Sequence, residues 1–209
     1  MAADVLALPG SGFRRVGVDG VDGAGKTWFA DELGDELAGG GVPVVRASVD
    51  GFHNPPAVRY RRGRSSPEGF CYDSYDYDRL LGLLLDPLGP GGTGRFVRRI
   101  YDVHAERPVE NPTETAAPGS VLVFDGIFVH RDELVGCWDY SVWLDVPFAV
   151  SIPRGARRGY GDPDPSAPAN RRYVEGQRCY LADCRPRERA TVVIDNEHLD
   201  RPRLSYPPG

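Results

Sequence analysis

Several absences bound this chain before any motif is read. It has no apolar run near the roughly 20 residues a membrane helix needs; the longest, around Leu80 to Leu85 and Val121 to Phe124, are far shorter. No membrane span is expected. The stretch from Met1 to Phe13 has neither the basic start nor the apolar core of a secretory signal, so a cytoplasmic address is the default expectation. Four cysteines, Cys71, Cys137, Cys179 and Cys184, form no C-x-x-C pair and have no histidine at metal-site spacing. They read as reduced thiols, because a Cys179–Cys184 disulfide would need an oxidising compartment. Positive charge is not in excess either: the net charge is −5, and a surface of that balance does not attract nucleic acid as a whole.

What is present is an ordinary globular composition. The chain has 209 residues, 41% hydrophobic and 26% charged, enough for a single domain over 1–209 with a sizeable core. No internal repeat divides it.

Residues Gly20 to Thr27 read Gly-Val-Asp-Gly-Ala-Gly-Lys-Thr, a complete G-x-x-x-x-G-K-[ST] phosphate-binding loop. A β-rich run, Arg15 to Asp19, precedes it, and Phe29, Leu33 and Leu37 follow at helical spacing. Strand, loop and helix therefore occur in the order the chemistry needs. Gly20, Gly23 and Gly25 let the backbone curl so that N–H groups, including that of Ala24, point into one concavity. Lys26 reaches the β- and γ-phosphates, Thr27 offers its hydroxyl to Mg²⁺, and the helix start adds its positive dipole end.

Further along, Val42 to Val49 reads as a second strand, Asn54 to Gly69 as a loop, and Tyr77 to Leu85 as a helix. Phe96 to Asp102 is a candidate short strand. Ser120 to Phe124 is an almost wholly apolar run ending in Asp125-Gly126, as expected of a buried parallel strand with its carboxyl end at a site. Tyr140 to Val146 is a further strand, and Pro147 is placed to open a helix towards Arg158. The Gly/Asp/Pro/Ser-rich segment 159–169 is a candidate lid tip or hinge. Asn170 is a candidate cap for a helix from about Arg171 to Asp183, Ala190 to Ile194 is the last apolar strand, and 199–209, with Pro202, Pro207 and Pro208, reads as an extended tail. Strands alternating with helices predict an α/β fold with a mainly parallel sheet and helices on both faces.

A phosphate loop alone does not separate a kinase from an ATPase, so other strand ends must decide. The second strand leads into Asp50-Gly51-Phe52-His53, placing a carboxylate where it can accept the proton of an attacking hydroxyl and hold water of the Mg²⁺ shell; an ordinary Asp-Gly turn is the competing reading. Asp125 likewise reads as either a Mg²⁺-side acid or a turn residue. Arg154, Arg157 and Arg158 fall at i, i+3 and i+4 and would share one helix face, where they suit the shifting charge of a triphosphate or are simply solvated. Arg171 and Arg172 lie across the Gly/Pro-rich segment from them. Arg59, Arg61, Arg62 and Arg64 read as mainly solvated loop residues, with phosphate or acceptor contacts open.

Taken in order, the loop at 20–27, Asp-Gly-Phe-His at 50–53, Tyr-Asp-Val-His at 101–104, Phe-Asp-Gly-Ile-Phe at 124–128, and the arginine segment with Arg-Tyr-Val at 172–174 resemble the uridine kinase family of P-loop kinases. Its relatives include phosphoribulokinase, bacterial pantothenate kinase and nicotinamide riboside kinase. The resemblance covers nearly the whole chain and implies a P-loop kinase three-layer sandwich with a mobile, arginine-bearing lid. It implies ATP as co-substrate with Mg²⁺, and Asp50 as the base. It also places Asp125 at the metal and acceptor side, and Tyr101 and His104 beside the acceptor. Arg154, Arg157 and Arg158 would then contact ATP from the lid. From the residues themselves, Tyr101 reads equally as core packing, His53 as an acceptor contact or a loop hydrogen-bonding group, and Arg172 as a further candidate substrate contact. The family usually has Glu where Asp125 stands, and a ribose-holding acid in a stretch that here reads Gly69 to Asp73, with Glu68 or Asp73 as stand-ins. The expected activity is transfer of the γ-phosphate of ATP to a hydroxyl of a ribonucleoside or similar small metabolite. Open alternatives are a kinase for pantothenate, a nicotinamide riboside-like compound or a specialised-metabolite sugar, and an ATP-dependent switch. No Asn-Lys-x-Asp element favours a GTPase. Oligomeric state is open, with a homo-oligomer allowed.

Overall fold

The structure is a computed structural model that describes residues 1–9 and 12–207. Its centre is strand β1 (Arg14–Gly20), buried at every position from Arg15 onward. A strand reaches that state only with a partner on each edge and cover on both faces. The partners are β3 (Val121–Gly126), buried throughout, and β4 (Tyr140–Asp145); β2 (Val44–Ser48) lies outside β3 and β5 (Val192–Asp195) outside β4. These five strands are parallel, and β6 (Arg203–Ser205) adds antiparallel to β5, giving the order β6-β5-β4-β1-β3-β2.

Register then fixes where the chemistry sits. Val18 of β1 and Ser48 of β2 both lie opposite Asp125, and Asp19 opposite Gly126. The carboxyl ends of β1, β2 and β3 therefore open on one edge, which receives the phosphate loop, Asp50 and Asp125 together.

Helix α1 (Lys26–Gly39) lies over β1, β2 and β3 and buries Ala30, Leu33, Gly34 and Leu37; Phe29 is only half-buried. Full burial of each leucine contributes about 2 kcal/mol. Trp138 packs so closely on β1 that a Cβ at Gly17 would lie 2.8 Å from its indole ring, which also stacks on Phe124 and donates to the Val129 carbonyl at 2.9 Å. Among the described residues no helix is long and apolar enough to cross a membrane. All four cysteines are free, and burial pushes the Cys71 thiol up to about 12.

Several local expectations are corrected. The segment 54–69 is not all loop: Pro56–Arg59 forms a helical turn, and helix α2 (Pro67–Asp73) opens with Ser66 capping the Gly69 N–H at 3.0 Å. Tyr77–Leu80 is helical, but the next turn widens to an Asp86 N–H bond to the Leu81 carbonyl, five residues back. Instead of one strand at 96–102 there are two two-residue ladders, Arg95–Phe96 with Glu114–Thr115 and Tyr101–Asp102 with Arg107–Pro108. Part of the expected extended tail is β6, while Pro208 lies outside the described residues.

Helix α3 (Phe148–Ala156) follows Pro147 as expected, and helix α4 (Arg171–Cys184) follows Asn170. Asn170 does not cap α4 with its side chain. Its amide instead donates to the Asp162 and Asp164 carbonyls at 2.7 and 2.8 Å and so ties down the irregular 159–169 segment. Helix α4 packs on α2 at Gly176, where a Cβ would lie 2.7 Å from the Pro67 carbonyl oxygen.

Candidate active site

The phosphate loop is gripped from three sides. Gly23 (φ +78°) passes so near α3 that a Cβ there would lie 2.1 Å from the Ser151 carbonyl oxygen, so only glycine fits. Gly25 (φ +96°) precedes α1, and beside it Asn196, after β5, donates to the Ala24 carbonyl at 2.8 Å. Beneath the loop the wholly buried Asp19 accepts from the Gly20 N–H at 2.7 Å, the His130 N–H at 3.0 Å and the Tyr180 hydroxyl; His130 Nδ1 lies 2.8 Å from the same carboxylate. Several donors converging on one acid hold the loop's first residue rigidly. Lys26 Nζ donates to the Val21 carbonyl at 2.9 Å, a bond it can exchange for phosphate oxygens.

Thr27 and Asp125 meet: the Thr27 hydroxyl donates to Asp125 Oδ2 at 2.8 Å. The other carboxylate oxygen accepts from Arg46 Nη2 at 3.1 Å. Arg46 sits on β2, bonds Asp31 of α1 through Nε at 3.0 Å, and donates to the Val123 carbonyl at 2.6 Å. Among the described residues no three His, Cys, Asp or Glu side chains converge on a metal site. One hydroxyl beside one carboxylate is nevertheless the donor set that suits Mg²⁺, which takes most of its ligands from phosphates and water.

Asp50 lies in the exposed turn after β2, its N–H accepted by Ser48 Oγ at 3.3 Å. The Tyr75 hydroxyl donates to Asp50 Oδ1 at 3.2 Å. Burial, with the Asp50 and Asp22 carboxylates adding, drives the Tyr75 pKa well up, so this phenol stays a donor. His53 packs on the Tyr75 ring at 4.6 Å between centroids and its Nδ1 lies 2.9 Å from the Asp50 carbonyl oxygen; burial lowers its pKa and keeps the imidazole neutral.

The other anticipated residues are placed differently from one another. Tyr101 is buried and donates to Glu106 at 3.1 Å, and Glu106 also takes Arg59 at 2.5 Å, so Arg59 is a buried ion-pair member and not a solvated loop residue. His104 is exposed on the turn that Asp102 caps, and among the described residues no hydrogen bond or ion pair ties its side chain to the residues above. Arg172 is buried between the rings of Tyr60 and Phe70 and donates to the Arg64 carbonyl at 2.5 Å, joining α4 to the 59–64 segment. Arg61 and Arg62 are likewise engaged, on the two oxygens of the buried Asp73.

Arg154 lies in the last turn of α3, Arg157 at its cap and Arg158 in the turn beyond. Arg154 donates to the Asn196 and Glu197 carbonyls at 3.0 and 2.6 Å; burial and the nearby Arg157 and Arg158 lower its pKa. Arg157 and Arg158 are exposed, and among the described residues no carboxylate pairs with them. Tyr75, Arg46 and Asn196 enter the site without any sequence signal, since each is brought in by a partner distant in the chain.

Against known proteins, the sequence pattern of the Phosphoribulokinase / Uridine kinase family matches residues 16–160, more than half of the chain. Among solved structures the fold is similar to that of a protein from Bacillus stearothermophilus named a possible uridine kinase, at 23% identity and a TM-score of 0.70, covering 93% of this chain and 95% of that one. It is also similar to phosphoribulokinase from Rhodobacter spheroides, at 12% identity and a TM-score of 0.60, covering 90% of this chain and 74% of that one. At these identities the likeness bears on fold, and it agrees with the α/β architecture and mostly parallel sheet. The family match, over a complete phosphate loop, bears on activity, with ATP as the co-substrate that the family implies. The chain belongs to the phosphoribulokinase/uridine kinase family and is an ATP-dependent small-molecule kinase.

Proposed function

We propose that this kinase transfers the γ-phosphoryl group of ATP to a hydroxyl of a ribonucleoside or a similar small polyhydroxylated metabolite. The observation that carries the reading is Asp50: a solvent-facing carboxylate on the same sheet edge as Lys26, with one oxygen held by Tyr75 and, among the described residues, no cation paired with it. An acid so placed can accept the acceptor's hydroxyl proton while the oxygen attacks phosphorus. Lys26 and the loop amides take up charge on the transferring group, and Arg157 and Arg158 add guanidinium donors from the segment after α3.

Thr27 and Asp125 would hold Mg²⁺, with Asp50 facing its water shell. When bound, the ion neutralises phosphate charge during transfer. Arg46 keeps Asp125 oriented towards Thr27. The neutral His53 and Tyr101 line the acceptor side in this reading, residues 1–209 act as one catalytic unit, and 159–169 is its lid. A screen of nucleosides, vitamins and sugars with ATP and Mg²⁺, read by mass, tests it. The expected result is a product heavier by one phosphoryl group from a hydroxyl-rich acceptor; ATP turnover that stays at the level of water attack with every acceptor overturns it.

A further inference from the structure

We propose that Asp22 is the acceptor-specificity residue of this kinase: its carboxylate takes a second hydroxyl of the molecule whose reacting hydroxyl lies at Asp50, so that acceptors with two hydroxyls in reach are selected. The inference rests on the proposed role of Asp50 and deepens it. A carboxylate inside a loop built to bind phosphate is electrostatically costly if it faces the phosphates, so the direction in which it is held needs a reason. Gln177 of α4, 1% exposed, supplies the hold. Its Oε1 accepts from the Asp22 N–H at 2.6 Å, its Nε2 donates to Asp22 Oδ2 at 3.2 Å, and the same Nε2 is tied to the Tyr173 carbonyl at 3.1 Å.

The carboxylate so fixed shares its surroundings with Asp50: both act electrostatically on the Tyr75 hydroxyl, and Asp50 acts on Asp22. Burial raises the Asp22 pKa, with Lys26 opposing and Asp50 adding to the rise. Among the described residues no donor reaches the second Asp22 oxygen. A partly desolvated acid with one open oxygen, beside another acid whose open oxygen faces solvent, is matched by a neutral molecule carrying several O–H donors and mismatched by an anionic one. Neither Asp73 nor Glu68 can fill the role. Both oxygens of Asp73 are taken by Arg61 and Arg62, and Glu68 is exposed and bonded to Ser66.

The test uses the full chain with ATP and Mg²⁺ and the acceptor pairs uridine with 2′-deoxyuridine, uridine with 3′-deoxyuridine, and ribose with 2-deoxyribose. The wild type is expected to prefer at least one hydroxyl-rich member by roughly tenfold or more in kcat/KM, as a hydrogen bond to a charged group gives. Asp22→Asn, and Asp22→Ser as a second variant should the first not fold, are expected to shrink that preference to within about threefold while the KM for ATP stays within about threefold, changes below one hydrogen bond's worth. The preference ratio is internal to each variant and does not depend on the fraction of active protein. An undiminished preference in both variants, or a rise confined to the KM for ATP, overturns the inference and assigns Asp22 to loop structure. Transfer by the wild type without any preference overturns it while leaving the proposed function standing. Transfer to none of the probes overturns the inference and leaves the proposed function to the wider acceptor screen.

Discussion

Lys26 is the one lysine among twenty-five Lys and Arg side chains. An amine-directed reagent therefore has only this Nζ and the N-terminus to modify. We expect ATP to protect Lys26 from such a reagent, because phosphate oxygens replace the Val21 carbonyl as its partner; equal labelling with and without ATP, read by peptide mass, would place Lys26 outside the nucleotide site. Gly23 gives a second expectation at this scale. Ala there would combine a left-handed φ with a Cβ 2.1 Å from the Ser151 carbonyl oxygen, so Gly23→Ala should cost at least about 2 kcal/mol and abolish nucleotide binding. Unchanged melting and ATP affinity would refute that. Lys26, Thr27, Asp50 and Asp125 were legible because each belongs to a short local pattern. Tyr75 and Gln177 were not: their partners, Asp50 and Asp22, lie 25 and 155 residues away, and no spacing rule spans such distances.

At the scale of elements, the strands were legible because burial on both faces demands continuous apolar runs, as in Val121 to Phe124. Helix α2 was hidden although its start carries Ser66 and Pro67, a cap followed by the first-turn residue that favours helix entry; the surrounding arginines and glycines masked that signal. Its last residue, Asp73, is nearly completely buried, which alone would raise its pKa, but hydrogen bonds from Arg61 and Arg62 outweigh burial and hold it below the ordinary 3.8. A depressed carboxyl contributes stability that is present above the unfolded pKa and lost as pH falls through the folded one. Both arginines are about half exposed, so the contribution is discounted to about 1 kcal/mol. Asp73→Asn should lower stability by that amount at neutral pH, and the gap to wild type should close below about pH 4. A gap independent of pH in chemical denaturation would show that packing, not charge, sets it. For the 159–169 segment, Asn170→Ala removes the ties to Asp162 and Asp164, and amide exchange should quicken across 160–169 while the sheet stays protected. No change there would dissociate Asn170 from the order of this segment.

For the whole molecule, the central point is convergence. Three parallel strands end in register, so residues 20–27, 50 and 125 meet on one edge although the chain separates them widely. The order of motifs along the sequence made the family legible, and the register explains why that order produces a site. The proposed acceptor side was less legible, because the residues around it are assembled by ion pairs such as Arg59–Glu106 and by Tyr75, which leave no pattern in the sequence. The role of Asp50 as proton acceptor is tested most directly by measuring ATP binding and transfer in the same preparation. Asp50→Asn should bind ATP within about threefold of wild type, a change under 1 kcal/mol, yet transfer to the acceptor found for the wild type should fall about 10²–10⁴-fold. Transfer by Asp50→Asn at the wild-type rate would contradict it.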